Sequence, residues 1–85
     1  MFKIVFKKSA QKEIEKLPAV VVKRIAPAID DLAENPRPQG SKKLTSQAEN
    51  LWRIRFGDYR VVYLIEDAIQ IIEVRKVGHR KDIYK

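Results

Sequence analysis

Hydrophobic residues change their spacing along the chain, and each change marks an element. Phe2, Ile4 and Phe6 alternate with Lys3, Val5 and Lys7. That period of two predicts a first strand, because successive side chains of a strand point to opposite faces. Ala10, Glu13, Ile14 and Leu17 then fall at helical spacing,. Ser9 is the expected N-cap. Lys12, three residues on, is neither Glu nor Gln, so no capping box supports it,. Pro18 either closes this short helix or opens the next at its first turn. Val22, Ile25, Ile29 and Leu32 stripe one face of a second helix, which ends near Glu34 because Asn35-Pro36 resists helical continuation. Pro27 interrupts the stripe at a cost of about 3 kcal/mol. The segment reads as one kinked helix over 19–34, or as two pieces joined before Pro27.

Residues 35–50 hold Pro36, Pro38 and Gly40 and read mostly as loop, with Leu44 as a local anchor,. Residues 51–56 and 59–65 read as strands around the tight turn Gly57-Asp58,. Residues 69–77 read as a last strand after a second turn at Asp67-Ala68. The order β-α-α-β-β-β predicts one α/β (α+β) domain over 1–85, an αα-hairpin laid against an antiparallel meander.

The first turn fixes a register. With Gly57 and Asp58 alone in the loop, Phe56 pairs with Tyr59, Arg55 with Arg60, Ile54 with Val61 and Arg53 with Val62. Cross-strand partners share a face. Arg53, Arg55 and Arg60 therefore share one face, and Trp52, Ile54, Phe56, Val61 and Tyr63 share the other, which should cover the helices. A similar two-residue turn at Asp67-Ala68 would set Arg60 opposite Arg75. Arg75 and Lys76 also adjoin Glu73, so local ion pairing competes with a functional role for them. Lys42 and Lys43 read as solvated loop residues.

Composition narrows the chemistry. The 85 residues carry 18 Lys plus Arg against 11 Asp plus Glu, a formal charge of +7. The excess is spread, with no basic tail, so a cationic site must be assembled by folding. With no cysteine, the chain has no disulfide, thiolate metal site or cysteine nucleophile,. One histidine, His79, argues against a His-based metal centre,. No cofactor or metal is expected. Neither a signal peptide nor a membrane span is legible, so no membrane partner and a cytoplasmic location are expected.

No carboxylate pair suited to glycoside hydrolysis and no phosphate-binding glycine loop is present. Converging carboxylates for a two-metal nuclease are not legible either. Clustered guanidiniums suit phosphate, because each planar fork offers bidentate contacts. RNA supplies its own nucleophile, the 2′-OH. Metal-free cleavage then asks the protein to align that oxygen, neutralise the phosphorane and assist proton transfer. Arginine is a poor base. His79, with an ordinary pKa near 6.5, and Tyr84 are the candidates for proton transfer.

Several segments carry a resemblance. They are Lys12-Glu13-Ile14-Glu15-Lys16-Leu17-Pro18, Leu32-Ala33-Glu34-Asn35-Pro36, Lys43-Leu44, the run from Leu51 to Tyr63, and Val77-Gly78-His79-Arg80-Lys81-Asp82-Ile83-Tyr84. Together they span nearly the whole chain, which resembles small toxins of the RelE/ParE superfamily from toxin–antitoxin pairs. The resemblance implies that the first strand joins the meander in a mainly antiparallel four-stranded sheet under two N-terminal helices. On the RelE branch it implies ribosome-dependent cleavage of mRNA in the A site, leaving a 2′,3′-cyclic phosphate. It implies active-site roles for Arg60, Arg80 and Tyr84 as catalytic residues and for Arg53 and Arg55 as substrate-binding ones. His79 joins the catalytic candidates by its own chemistry, and Arg75 and Lys81 the substrate-binding candidates by their place near this cluster. The resemblance also implies a cognate antitoxin, with operator DNA reached only through that antitoxin. Two departures stand out. Arg53 and Arg55 occupy positions where the best-known RelE-type pattern has lysines, and Arg80 and Tyr84 are closer together than in that pattern. Two alternatives remain: a gyrase inhibitor of the ParE branch, and a catalytically weak ribosome- or RNA-binding homologue.

Overall fold

A computed structural model describes residues 1–45 and 48–83 of the chain. Strand β1 (Lys3–Phe6) leads into helix α1 (Lys8–Glu15) and helix α2 (Ala19–Asp31). A two-residue strand β2 (Lys42–Lys43) follows, then β3 (Leu51–Phe56), β4 (Tyr59–Glu66), β5 (Ile71–His79) and a short helix α3 (Arg80–Ile83). The strands form one sheet in the order β1-β5-β4-β3-β2. β1 runs parallel to β5, and the other three pairings are antiparallel. The sheet thus has five strands rather than the expected four. The added strand is Lys42–Lys43, expected as loop, which pairs with Trp52 and Arg53.

The helix ends differ in detail from the expectation. Ser9 lies inside α1, and Lys7 takes the N-cap position without a side-chain cap. The strand sets this start instead: the Lys7 N–H donates to Val74 O at 2.9 Å, and Lys7 O accepts from Gln11 N at 3.0 Å. Pro18 opens α2, which runs unbroken through Pro27. Pro27 is exposed, so water can satisfy the carbonyl that its missing N–H abandons. α2 stops at Asp31, and residues 32–34 form the turn that ends it.

The second hairpin departs most. Its loop is four residues, 67–70, with Gln70 at φ 56°. Ile69, expected in the strand, is 64% exposed in that turn. A bulge at Arg75 then shifts the β4–β5 register, so that Tyr63 pairs with Val74 but Val62 pairs with Lys76,. Both changes move Arg75 away from Arg60, whose partner is Gly78.

The core lies between the helices and one sheet face. Ala10 of α1, and Ile25, Ile29 and Leu32 of α2 and its end, pack on Ile54, Val61, Tyr63, Ile65, Ile72, Val74 and Val77. Each such aliphatic residue contributes about 1.5–3 kcal/mol by leaving water. Trp52, Phe56 and Tyr59 close the rim of this core. Buried Tyr63 donates its hydroxyl to Pro36 O at 2.7 Å. That bond, with Arg37 bridged to Asp67 at 2.9 Å and stacked over Trp52, pins the loop after α2 to the sheet. Burial raises the Tyr63 pKa to about 12, against smaller lowering effects from Ser41 and Arg37. Among the described residues no helix is long and apolar enough to cross a membrane.

Candidate functional site

The hairpin register places Arg55 opposite Arg60, Ile54 opposite Val61 and Arg53 opposite Val62. Because Ile54 and Val61 belong to the core, all three arginines stand on the face turned away from the helices. Two neighbouring cross-sheet rows carry the cations of this face. One runs Lys42, Arg53, Val62, Lys76, and the next runs Arg55, Arg60, Gly78. Adjacent strands lie about 4.8 Å apart, so five cations and a residue without a side chain share a small area.

Their surroundings are unusual for cations. Arg53 is 5% exposed and Arg60 is 7% exposed. Arg60 Nη1 donates to Gly57 O and Tyr59 O, both at 2.9 Å, which ties it to the hairpin tip. Arg60 Nε and Arg53 Nη1 are buried without a hydrogen-bond partner. Among the described residues no carboxylate forms an ion pair with Arg53, Arg55 or Arg60. A buried polar group left unpaired costs about 1–3 kcal/mol, more when charged. An anion brought from outside would recover that cost, and the directly opposed guanidiniums could grip it from two strands.

Arg75 behaves differently. Its guanidinium bonds Glu49 at 2.6 and 3.2 Å and also engages Glu73. These carboxylates raise its pKa, Glu49 first, and the same hydrogen bond lowers the pKa of Glu49. Arg75 borders a groove of about 440 Å³ on the open face, with Leu44, Leu51 and Val62 as its apolar lining and Lys7 and Lys76 beside them. Unbroken alternation through β5 would put Arg75 rather than Lys76 on the arginine face. The two polar residues between Val74 and Val77, both core, are the mark of the bulge that aims Lys76 onto the arginine face.

The tail is fastened to the same end of the hairpin. The Arg80 N–H donates to Asp58 O at 2.8 Å. The Arg80 guanidinium lies 3.9 Å from the Asp58 carboxylate, with both side chains more than half exposed, so this contact holds it only weakly. His79 pairs with Tyr59 rather than Arg60, which puts it on the other face. Its ring meets Tyr59 edge-on at 5.5 Å between centroids. Nδ1 accepts from Lys81 N at 3.2 Å, leaving Nε2 as the protonated nitrogen of the neutral ring. Lys81 is exposed on α3. Tyr84 lies outside the described residues. The fold therefore gathers Arg53, Arg55 and Arg60 with Lys42 and Lys76, keeps Arg80 near the hairpin tip, and separates Arg75 and His79 from that group. Among the described residues no three His, Asp or Glu side chains cluster closely enough to hold a metal ion.

Three comparisons bear on this geometry. Residues 4–84 match the family model described as ParE toxin of type II toxin-antitoxin system, parDE. The putative toxin RelE1 of Methanocaldococcus jannaschii is 31% identical, over 99% of this chain and 96% of its own length. The crystal structure of the archaeal RelE–RelB complex from Pyrococcus horikoshii includes a chain that superimposes with a TM-score of 0.82 at 27% identity, covering 95% of this chain and 97% of that one. The isolated Escherichia coli RelE toxin superimposes with a TM-score of 0.81 at 26% identity, over 99% of this chain and 92% of that one. An arginine-bearing meander under two N-terminal helices, matched in both sequence and shape along nearly its full length, makes this chain a member of the RelE/ParE superfamily of type II toxin–antitoxin toxins, on its RelE branch.

Proposed function

We propose that this chain is a ribosome-dependent, metal-free endoribonuclease that cuts mRNA in the A site through the RNA's own 2′-OH. The observation that carries this reading is the pair of buried, incompletely bonded guanidiniums of Arg53 and Arg60 beside exposed Arg55, with no carboxylate paired to any of them. In the reaction the 2′-oxygen attacks the adjacent phosphorus as its proton leaves to a base. The P–O5′ bond breaks, and the departing 5′-oxygen takes up a proton. The products are a 2′,3′-cyclic phosphate and a 5′-hydroxyl. Arg60 and Arg80 neutralise the phosphorane, whose added charge makes preorganised donors most effective at the transition state. Arg53 and Arg55 hold the phosphate in line. Lys81 contacts more distant backbone, whereas Arg75 is held by Glu49 and Glu73 and takes no direct part. Tyr84 orients or stacks on the nucleotide. For His79 to transfer a proton, its ring must leave Tyr59 and cross to the arginine face.

The family relation supports a cognate antitoxin as the standing partner, as in the RelE–RelB complexes of P. horikoshii and M. jannaschii. A +7 chain with an unpaired cationic face suits a partner that brings acidic groups. Operator DNA would be met only through that antitoxin, and the working compartment is the cytoplasm, where translated mRNA is found. Because the matched model bears the ParE name, gyrase inhibition stands as the second reading.

Purified chain added to ribosomes stalled on a defined message tests the chemistry. The downstream fragment should accept label from polynucleotide kinase without prior dephosphorylation, as a 5′-hydroxyl does. A downstream fragment that must first be dephosphorylated would exclude the 2′-OH route.

A further inference from the structure

β2 covers β3 only at Trp52 and Arg53. Beyond it the edge of β3 opens into a second groove of about 560 Å³, walled by the end of α2, loop 38–41 and residues 53–56. Its size falls within the roughly 300–1,000 Å³ of small-molecule sites. Arg53, with its unpartnered Nη1, and Arg55 line it, so it is continuous with the arginine face. Lys42 adds a third cation, while Phe56 offers a half-buried ring. Asp31, at the end of α2, and Gln39, in the loop, also line the groove. Neither side chain makes a hydrogen bond or ion pair among the described residues.

We infer that this groove is a nucleoside subsite for one of the two residues flanking the cut phosphate, with Asp31 reading the base edge. The inference rests on the nuclease reading above and adds a selectivity to it. The cations at one end suit a phosphate, the aromatic ring suits a base face, and an ionised carboxylate only accepts hydrogen bonds. Asp31 therefore favours bases that carry an exocyclic amino group, namely adenine, cytosine or guanine. Uracil offers only its ring N3–H, flanked by two carbonyl oxygens that repel the carboxylate, and is disfavoured.

The test is to induce the chain in cells, sequence the 5′ ends of cut messages, and compare it with Asp31→Asn. Asp31 is exposed and Asn keeps its shape, so the variant folds. In the parent chain, uracil should be depleted about tenfold at one flanking position, the discrimination expected of one well-placed hydrogen-bonding contact. Asn both donates and accepts, and D31N should bring that depletion to twofold or less, by the same reasoning roughly. No uracil depletion in the parent chain, or the same depletion in both, overturns the subsite while leaving the nuclease intact. No cut messages from the parent chain overturns the nuclease reading and the subsite with it.

Discussion

Arg55 stands directly opposite Arg60 across the β3–β4 hairpin, and among the described residues neither has an acidic partner. Like charges in directly opposed positions destabilise a sheet by about 0.2–1 kcal/mol. Arg55→Gln should therefore leave thermal stability unchanged or slightly higher while lowering mRNA cleavage at least tenfold. Melting curves and cleavage assays on the same preparation check this. A variant that loses stability and activity together would make Arg55 a structural residue.

Phosphate contact predicts a salt signature. Binding to single-stranded RNA should weaken linearly in log–log form, by about 0.7 in slope for each phosphate neutralised. Arg53→Ala should remove about one such contact, and reduce the slope by about 0.7. Titrations of a non-cleavable 2′-deoxy message on ribosomes at several salt concentrations measure it, and an unchanged slope would count against a phosphate on Arg53.

Arg75 and its neighbour Lys76 should separate. Arg75 is already bonded to Glu49 and Glu73, and such partly exposed pairs contribute about 0–1 kcal/mol. Arg75→Ala should change stability and cleavage little. Lys76→Ala removes a cation aligned with Arg53 across Val62, and should reduce cleavage severalfold. Parallel rate measurements on the two variants test the bulge directly. Equal effects would contradict the register.

Tyr63 predicts a pH dependence at the alkaline end. Burial raises its folded pKa to about 12, above the ordinary value near 10. The raised pKa means the folded state favours the protonated hydroxyl. That stability is fully present below about pH 10 and is lost as pH rises through about 12. Denaturant titrations at pH 8 and 11 should show a fall that Tyr63→Phe largely abolishes. Y63F should also be about 1–2 kcal/mol less stable at pH 8, because Pro36 O loses its donor,.

What the sequence made legible follows from how each feature is encoded. The arginine face could be read because Gly57-Asp58 leaves room for one tight turn, after which strict alternation fixes every partner from Phe56–Tyr59 to Arg53–Val62. The second hairpin could not be read the same way. Ile69 looks like a strand residue but sits in a four-residue turn, and the bulge at Arg75 interrupts the alternation. Those two features decide that Gly78, not Arg75, faces Arg60. They also decide that His79 faces Tyr59. Burial of Arg53 and Arg60 was hidden as well, since it depends on packing across elements and not on local pattern.

The most direct measurement is induced expression followed by primer extension across a translated message, with Arg60→Ala alongside. New ends within A-site codons from the parent chain, absent with R60A, are the predicted result. Growth arrest with the message intact, accompanied by DNA breaks, would contradict the account and make the chain a gyrase inhibitor on the same fold.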